Sequence, residues 1–337
     1  MAIMNSKALI RQLLGAASLM AAFLGMASAA AQAEPMGQLT SAAAQRPSNV
    51  PAGYVITPFG YFHPSCVQEI HPQEKLLDHG RIQGADGSVR TGVLCQHVRY
   101  TLRGEAISPR DTHPAARPAA SASAQDAVNG WVLDTELTTS SAYGGINARW
   151  TVPAAPAAAD GQVVYFFPGL QDTNNVQSIL QPVLGWNAFN DNRWTIASWN
   201  CCQDGAVNYS TPQNVASGDL IVGTVRNNCA AGTRTCTSWN INTQDISRNV
   251  SSALNQTSNY GQTFNWAFGG VLEVYGVSRC DDYPRDGAMS FTGIQLLDIN
   301  KKPITRSASL GWRSNVLQQA GCNLNASASP SVANLSY

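Results

Sequence analysis

Residues 163–186 read VVYFFPGLQDTNNVQSILQPVLGW, two strand-like runs joined by a polar loop. Successive side chains of a strand point to opposite faces, so Gln177, Ile179, Gln181 and Val183 are predicted to share one face. On that face the uncharged amide of Gln181 stands between two apolar neighbours. A polar group is costly in such a position unless it has a partner, which makes Gln181 a candidate functional residue.

The later run GGVLEVYGV, residues 269–277, shows a similar pattern. Alternation predicts that Val271, Glu273, Tyr275 and Val277 share a face, with the Glu273 carboxyl group between Val271 and Tyr275. Burial there would raise the pKa of Glu273 above its ordinary value of about 4.3, and a nearby amide donor would partly offset the rise. A carboxylate tuned in this way suits a general base. The alternative is an open sheet on which Glu273 only borders a polar groove.

Strand-like runs recur from residue 129 to the end of the chain, and turn-forming residues separate them. No long window has the 3.6-residue period of an amphipathic helix. The sequence therefore predicts an all-β sandwich of jelly-roll type. Further predicted strands are RWTIASW, DLIVGTVR, TSWNIN, TFNWAFGG and FTGIQLLD.

The chain before residue 129 divides into three parts. Lys7 and Arg11 precede an apolar run that ends in Ala31-Gln32-Ala33, so residues 1–33 are predicted to be a signal peptide, with a retained membrane anchor as the alternative. Residues 34–113 form an N-terminal segment with strand-like pieces such as YVITPFGYF. Residues 114–128 are a Pro/Ala/Ser linker, and 129–337 are the sandwich domain. We expect a secreted protein, extracellular or periplasmic.

Eight cysteines fit an oxidising destination. Cys66 is predicted to pair with Cys95, and Cys229 with Cys236 across a short loop. Cys201 and Cys202 are then expected to pair with Cys280 and Cys322, in an order that spacing leaves open.

Composition excludes several functions. Acidic and basic residues are equal in number, 21 each, which gives no electrostatic case for binding nucleic acid or an anionic membrane. All five histidines precede residue 114, so neither a Ser-His-Asp nor a Cys-His hydrolase can be built within the sandwich domain alone. Histidine-rich zinc sites and nucleotide-binding motifs are also missing. Carboxylate-based hydrolysis of a peptide or a glycoside remains, as does simple binding. Glu136, near a strand start, is predicted to be structural.

Two motifs resemble those of the glutamic peptidases, the eqolisin family. Gln181 in SILQPV follows Gly169 in FPGLQD by twelve residues, as the glutamine of A-I-L-Q-T-G follows the first glycine of W-V-G-I-D-G. The run around Glu273 resembles the family's second motif, A-E-[WF]-I-[VI]-E, which holds its catalytic glutamate. The chain departs from the family at Phe167, where tryptophan is usual, and at Ser198, where a glutamate is expected. It looks like a divergent secreted member.

The resemblance implies a concanavalin A-like jelly-roll double-sheet sandwich preceded by a small N-terminal segment. It also implies a secreted acid endopeptidase in which Gln181 and Glu273 are catalytic. Phe167, Trp199 and Tyr275 are expected to line the substrate cleft. We expect a monomer that acts on polypeptides and uses no cofactor or metal. Neither nucleic acid nor, after signal cleavage, a membrane is expected as a partner.

A secreted acid peptidase needs to stay silent until export, so residues 34–127 are interpreted as a propeptide whose histidines weaken its docking once they are protonated below about pH 6.5. The alternative is a small permanent domain, marked by the Cys66–Cys95 pair, with ordinary surface histidines. Two other functions stay open. One is a carbohydrate-binding module or a glycosidase, which would need a second carboxylate roughly 5–5.5 Å from Glu273 if it retained configuration. The other is a non-catalytic extracellular protein that keeps only the fold.

Overall fold

The computed structural model describes residues 38–41, 46–92, 94–109, 127–202, 205–304, 311–318 and 321–337, without the side chains of residues 175–177. The predicted signal peptide and nearly all of the predicted linker lie outside these ranges. Within them the chain forms β-strands and three short 3-10 turns, and no α-helix. The predicted all-β class is confirmed.

Eight short strands precede the linker: β1 Val55–Thr57, β2 Gly60–Phe62, β3 Val67–Ile70, β4 Lys75–Leu76, β5 Arg81–Gln83, β6 Val89–Thr91, β7 Arg99–Tyr100 and β8 Ala106–Ile107. The longer strands follow: β9 Val128–Thr138, β10 Tyr143–Thr151, β11 Val163–Asp172, β12 Asn175–Trp186, β13 Trp194–Cys201, β14 Val207–Ser210, β15 Gln213–Val215, β16 Leu220–Asn227, β17 Ser238–Asp245, β18 Val250–Ser258, β19 Trp266–Val277, β20 Ala288–Asp298, β21 Arg313–Val316, β22 Asn325–Ser329 and β23 Val332–Ser336. The predicted strands TFNWAFGG and VLEVYGV belong to one strand, β19.

Two large sheets form the sandwich. Sheet I has nine strands in the order β21-β9-β19-β11-β12-β13-β14-β3, with β15 also paired to β13. Sheet II has seven strands in the order β18-β17-β16-β10-β20-β23-β22. Two small sheets, β1-β2-β7-β8 and β4-β5-β6, belong to the N-terminal segment. The double-sheet sandwich expected from the sequence is confirmed.

Sheet I is apolar on both faces, and β11 shows how. Val164 and Phe166 belong to the core between the two sheets. Val163, Tyr165 and Phe167 point the other way, into a second core built with the N-terminal segment. We call this second side the outer face of sheet I. A strand buried on both faces has a continuous apolar sequence, which explains the run VVYFF.

The N-terminal segment packs directly on the outer face. Its residues Ile56, Tyr61 and Phe62 are buried in the same cluster as Phe167 and Tyr275. In addition, β3 extends sheet I by pairing in parallel with β14, from Val67↔Val207 to Ile70↔Ser210. The segment is therefore attached by side-chain packing and by backbone hydrogen bonds.

The cysteines form four pairs. Cys66–Cys95 and Cys229–Cys236 are bonded as predicted. The prediction for the other four was wrong, because Cys280 bonds Cys322 and Cys201 bonds its neighbour Cys202. The Cα atoms of Cys280 and Cys322 are 5.4 Å apart, within the normal range for a disulfide, which leaves the adjacent pair to each other.

Among the described residues, no helix has the length and apolar character needed to cross a bilayer.

Candidate active site

Gln181 lies near the middle of β12 and is fully buried on the outer face. Its Nε2 atom donates a hydrogen bond to the carbonyl oxygen of Pro58, at 3.0 Å. That contact fixes the orientation of the amide, because a carbonyl oxygen can only accept and the NH₂ group must face it. The Oε1 atom of Gln181 has no hydrogen-bond partner among the described residues.

Glu273 lies in β19, opposite Tyr165 of β11 on one side and Trp131 of β9 on the other. Its side chain is fully buried. The indole N–H of Trp131 donates to Oε2 at 2.8 Å, and the Tyr275 hydroxyl lies 2.6 Å from Oε1. Each oxygen of the Glu273 carboxyl group therefore has one neutral hydrogen-bond partner. Among the described residues, no cation forms a bond with this carboxyl group.

Burial raises the pKa of Glu273 to about 8, although the hydrogen bonds with Tyr275 and Trp131 act in the opposite direction. The cause is desolvation, which penalises the charged form of an acid. Burial thus favours the protonated form of the Glu273 carboxyl group near neutral pH. The sequence predicted the direction of this shift from the apolar neighbours of Glu273.

Gln181 and Tyr275, the phenol bonded to Glu273, both contact one tight turn of the N-terminal segment. β1 and β2 form a hairpin, residues 55–62, in which Thr57 pairs with Gly60 around Pro58 and Phe59. The Gln181 amide binds the carbonyl of Pro58, and the Tyr275 hydroxyl lies 2.7 Å from the carbonyl oxygen of Thr57. Two consecutive peptide carbonyls thus contact the amide and, through Tyr275, the carboxyl group.

The three predicted substrate-binding residues are all buried on the outer face, with 0% of Phe167, 1% of Trp199 and 1% of Tyr275 exposed. Trp199 lies directly opposite Gln181 in the neighbouring strand. Phe167 packs edge-on against Trp131, with ring centroids 5.8 Å apart. Tyr275 contacts Glu273 itself, which makes it part of the polar site as well as of the lining.

One predicted face assignment was wrong. Val277 packs in the core between the sheets, not beside Tyr275 on the outer face. The alternation breaks at Gly276, whose positive φ of 71° accompanies a register shift between Val274 and Val277. A left-handed residue of this kind reverses the side that the following side chain faces, and only glycine adopts it without steric cost.

Sequence reasoning missed Trp131, which bonds Glu273, and the 55–62 hairpin, which covers the site. Trp131 reaches the outer face because the pairing of β9 with β19 shifts between Leu272 and Glu273. The unusual concentration of tryptophan in the sandwich domain was the available signal. The hairpin itself was visible as YVITPFGYF, but nothing in the sequence indicates where it packs.

Two further acids lie on the outer face of β9. Asp134 is opposite Val271, and its Oδ1 accepts a hydrogen bond from Asn315 at 2.6 Å. Glu136 is opposite Phe268 and accepts a bond from the Trp266 indole at 2.8 Å. Glu136 is a buried hydrogen-bond acceptor within the fold, consistent with a structural residue. Within the described ranges, no group of three or more His, Cys, Asp or Glu side chains could hold a metal ion.

No known protein family and no curated protein sequence matches the chain. Solved structures with a similar fold include a scytalido-glutamic peptidase with a peptide-based transition-state analogue, at 16% identity and a TM-score of 0.44, covering 61% of this chain and 98% of that one. SCP-B, described as a member of the eqolisin family in complex with the tripeptide Ala-Ile-His, has 17% identity and a TM-score of 0.41, with 62% and 98% covered. Chicken galectin 2 has 9% identity and a TM-score of 0.25, with 42% and 98% covered. These are likenesses of the β-sandwich fold.

Proposed function

We propose that this protein is a secreted endopeptidase of the glutamic type, with Glu273 as general base and Gln181 as oxyanion donor. The observation that carries the proposal is that a peptide bond of the protein's own 55–62 hairpin contacts the Gln181 amide. The Gln181 amide donates to a backbone carbonyl, that of Pro58, and the preceding carbonyl, that of Thr57, contacts Tyr275, the phenol bonded to the buried Glu273 carboxyl group. A scissile peptide carbonyl would take the place of Pro58.

In the proposed reaction, ionised Glu273 takes a proton from a water molecule held between it and Gln181. The oxygen of that water attacks the peptide carbonyl carbon, and the Gln181 NH₂ group donates to the developing oxyanion. Glu273, now protonated, gives its proton to the leaving nitrogen as the C–N bond breaks. The carboxylate is restored and the water is divided between the two products. Phe167, Trp199 and Tyr275 would contact the substrate chain.

The closed site cannot run this reaction, because Gln181 and Glu273 have no exposed surface. We therefore also propose that residues 34–127 are a propeptide that must leave the outer face before substrate can enter, and that residues 1–33 direct export and are removed. The disulfides are consistent with an oxidising destination.

A retaining glycosidase is less well supported, because it needs a second carboxylate beside Glu273. The described partners of Glu273 are an indole and a phenol, and Asp134 on the neighbouring strand bonds Asn315 instead.

The test measures the rate at which the protein cleaves a denatured protein substrate at acid pH, once the 55–62 hairpin no longer covers the site. Two proteins are compared, one with Glu273 and one with Glu273→Gln. We expect the substitution to lower the rate by about 100-fold to 10,000-fold, the usual contribution of a general base. Equal rates in the two proteins would rule the proposal out. Sugar release from a β-glycoside panel, in place of peptide cleavage, would favour the glycosidase.

A further inference from the structure

The Tyr275 hydroxyl has three polar neighbours and a single hydrogen. The Gly60 N–H donates to Oη at 2.7 Å, the Thr57 carbonyl oxygen lies 2.7 Å away, and Glu273 Oε1 lies 2.6 Å away. A phenol can donate one hydrogen bond and accept two. The three contacts can all be hydrogen bonds only for certain positions of the hydrogens.

Thr57 O is a carbonyl and can only accept, so the hydrogen in that contact is the one that Tyr275 carries. The hydrogen between Oη and Oε1 must then come from Glu273. The Trp131 indole donates to the other carboxyl oxygen, Oε2, which is the acceptor oxygen of a neutral acid. Every polar atom in this chain of contacts is satisfied when Glu273 is protonated. With Glu273 ionised, Tyr275 would donate to it and leave Thr57 O without its hydrogen bond.

We propose that the 55–62 hairpin is a built-in inhibitor that docks only onto the protonated form of Glu273, with Tyr275 as the link that couples docking to proton uptake. This inference concerns regulation of the proposed active site and rests on the proposed function. The hairpin has two effects. It places the Pro58 carbonyl on the Gln181 amide, where substrate would bind, and it keeps the general base in its inactive form.

Among the described residues at the contact between the hairpin and Tyr275, Glu273 is the only group that titrates between about pH 5 and pH 8.5. The titratable groups packed around it are phenols, whose pKa values are raised by burial: Tyr275 on its own strand, Tyr165 from β11 and Tyr61 from β2. Gln181 of β12 and Trp131 of β9 are neutral. Two cations act near the hairpin: Arg46 acts on Tyr61, and the guanidinium of the buried Arg99 lies 5.9 Å from the ring centroid of Phe59.

The direction of the pH effect follows from linkage. Burial raises the pKa of Glu273 to about 8, and the docked hairpin is part of the cluster that covers this face of sheet I. Docking is therefore independent of pH below the pKa that Glu273 has when the hairpin is undocked. As pH rises above that value the free energy of docking becomes less favourable, and the loss is greatest once pH exceeds the pKa of Glu273 in the docked state. Acid alone strengthens this contact, and neutral to alkaline pH weakens it.

The first experiment measures hydrogen–deuterium exchange of the full chain from pH 5 to pH 8.5, each rate divided by the intrinsic rate at that pH. The Gly60 amide, which donates to Tyr275, reports docking directly. We expect its protection to fall more than tenfold between pH 5 and pH 8. In Glu273→Gln it should stay constant, since the amide resembles the neutral acid at every pH. A matched control is Glu136→Gln, another buried glutamate bonded to an indole, which should behave like wild type. Parallel pH dependence in wild type and Glu273→Gln overturns the proposal.

The second experiment opens the site without touching the sandwich domain. Gly60 has φ of +121°, and a Cβ added there would overlap the carbonyl oxygen of Tyr100. Gly53 also has a positive φ, +87°, but a Cβ there meets nothing within 4 Å. Gly60→Ala should therefore speed exchange across residues 55–62 at least tenfold, whereas Gly53→Ala should leave it unchanged. Turnover should appear in Gly60→Ala only.

The readouts separate the two claims. One outcome would support the inhibitor contact and refute the proposed peptidase. In it, hydrogen exchange of residues 55–62 is faster in Gly60→Ala and the infrared carboxyl band of Glu273 titrates near the ordinary pKa of a glutamate, but no peptide is cleaved. Turnover by wild type equal to that of Gly60→Ala would refute the inhibitor and leave the peptidase standing. Exchange as slow in Gly60→Ala as in Gly53→Ala would show that the turn does not hold the hairpin in place, and would also refute the inhibitor.

Discussion

The amide nitrogen of Gln181 lies 3.0 Å from the carbonyl oxygen of Pro58, a residue 123 positions earlier in the chain. Pro58 belongs to the N-terminal segment and Gln181 to the middle of sheet I. This contact places a peptide bond of the protein itself on the group that is proposed to stabilise the oxyanion. The donor is already oriented for a carbonyl, so its contribution to catalysis can be tested directly.

Gln181→Ala should lower kcat by about 100-fold to 1,000-fold in chain opened by Gly60→Ala, with little change in KM. The loss corresponds to roughly 3 kcal/mol of transition-state stabilisation from a single oxyanion donor. Steady-state hydrolysis of a peptide substrate measures it. Ser178→Ala, in the same strand, is the control, because Ser178 is buried and faces away from Gln181. A Gln181→Ala enzyme as fast as this control would remove Gln181 from the mechanism.

Trp131→Phe should move the acid limb of the pH–rate profile to higher pH. The indole N–H bonds Oε2 of Glu273 and lowers the pKa of that carboxyl group, so its loss raises the pKa by about one unit. More alkaline conditions are then needed to ionise the base. Trp266→Phe, which removes an indole bonded to Glu136, should leave the limb unmoved. A shift of the same size in both variants would point to a general packing effect.

His63 and His97 are stacked with ring centroids 3.7 Å apart, just beyond the end of β2. Burial and the neighbouring ring lower the pKa of His63, so the stack supports the N-terminal segment above about pH 6.5 and loses that contribution as pH falls. This sign is opposite to that of Glu273. We expect His97→Gln to slow hydrogen exchange of β2 at pH 4.5 but not at pH 7.5, because the like-charge repulsion is gone.

His71→Gln is the matched comparison for that measurement. His71 Nδ1 lies 3.4 Å from Oε1 of Glu69, beside an acid and not beside a second histidine. Removing it should leave exchange at pH 4.5 unchanged or slightly faster. Slower exchange in both histidine variants would show that acid acts on the segment in some way other than through the stack.

Loss of the Cys280–Cys322 disulfide should cost more stability than loss of Cys229–Cys236. In the chain-entropy picture a bridge constrains the unfolded chain more when it closes a longer loop, and the separations are 42 and 7 residues. Paired substitution to alanine should lower the free energy of unfolding by about 4 kcal/mol for the first bridge and about 2.5 kcal/mol for the second. Urea denaturation measures both. The reverse order would mean that strain or residual structure outweighs loop length.

The sequence predicted the local features of the site and not its long-range contacts. Alternation along β12 and β19 put Gln181 and Glu273 on apolar faces, because a period of two is a property of each strand alone. The same rule failed at Val277, since it has no way to register the left-handed Gly276. The Cys280–Cys322 pair depends on how distant strands approach each other, which spacing along the chain does not contain.

The hairpin was the largest omission, and the reason is physical. Its own turn is written locally in Thr57-Pro58-Phe59-Gly60, but its position on the outer face depends on the fit of Ile56, Tyr61 and Phe62 to residues more than a hundred positions later. Trp131 was missed for a related reason, since its face is set by an irregular pairing with β19.

The parallel pairing of β3 with β14 has a consequence for maturation. A chain that lost its first hundred residues would leave the backbone amides and carbonyls along one edge of β14 without hydrogen-bond partners. It would also expose the tyrosine, tryptophan and phenylalanine side chains of the outer face of sheet I to water. Such a border invites strands from other chains. The N-terminal segment therefore protects this border and this face, and a sandwich domain without residues 34–127 should be more prone to self-association than the full chain.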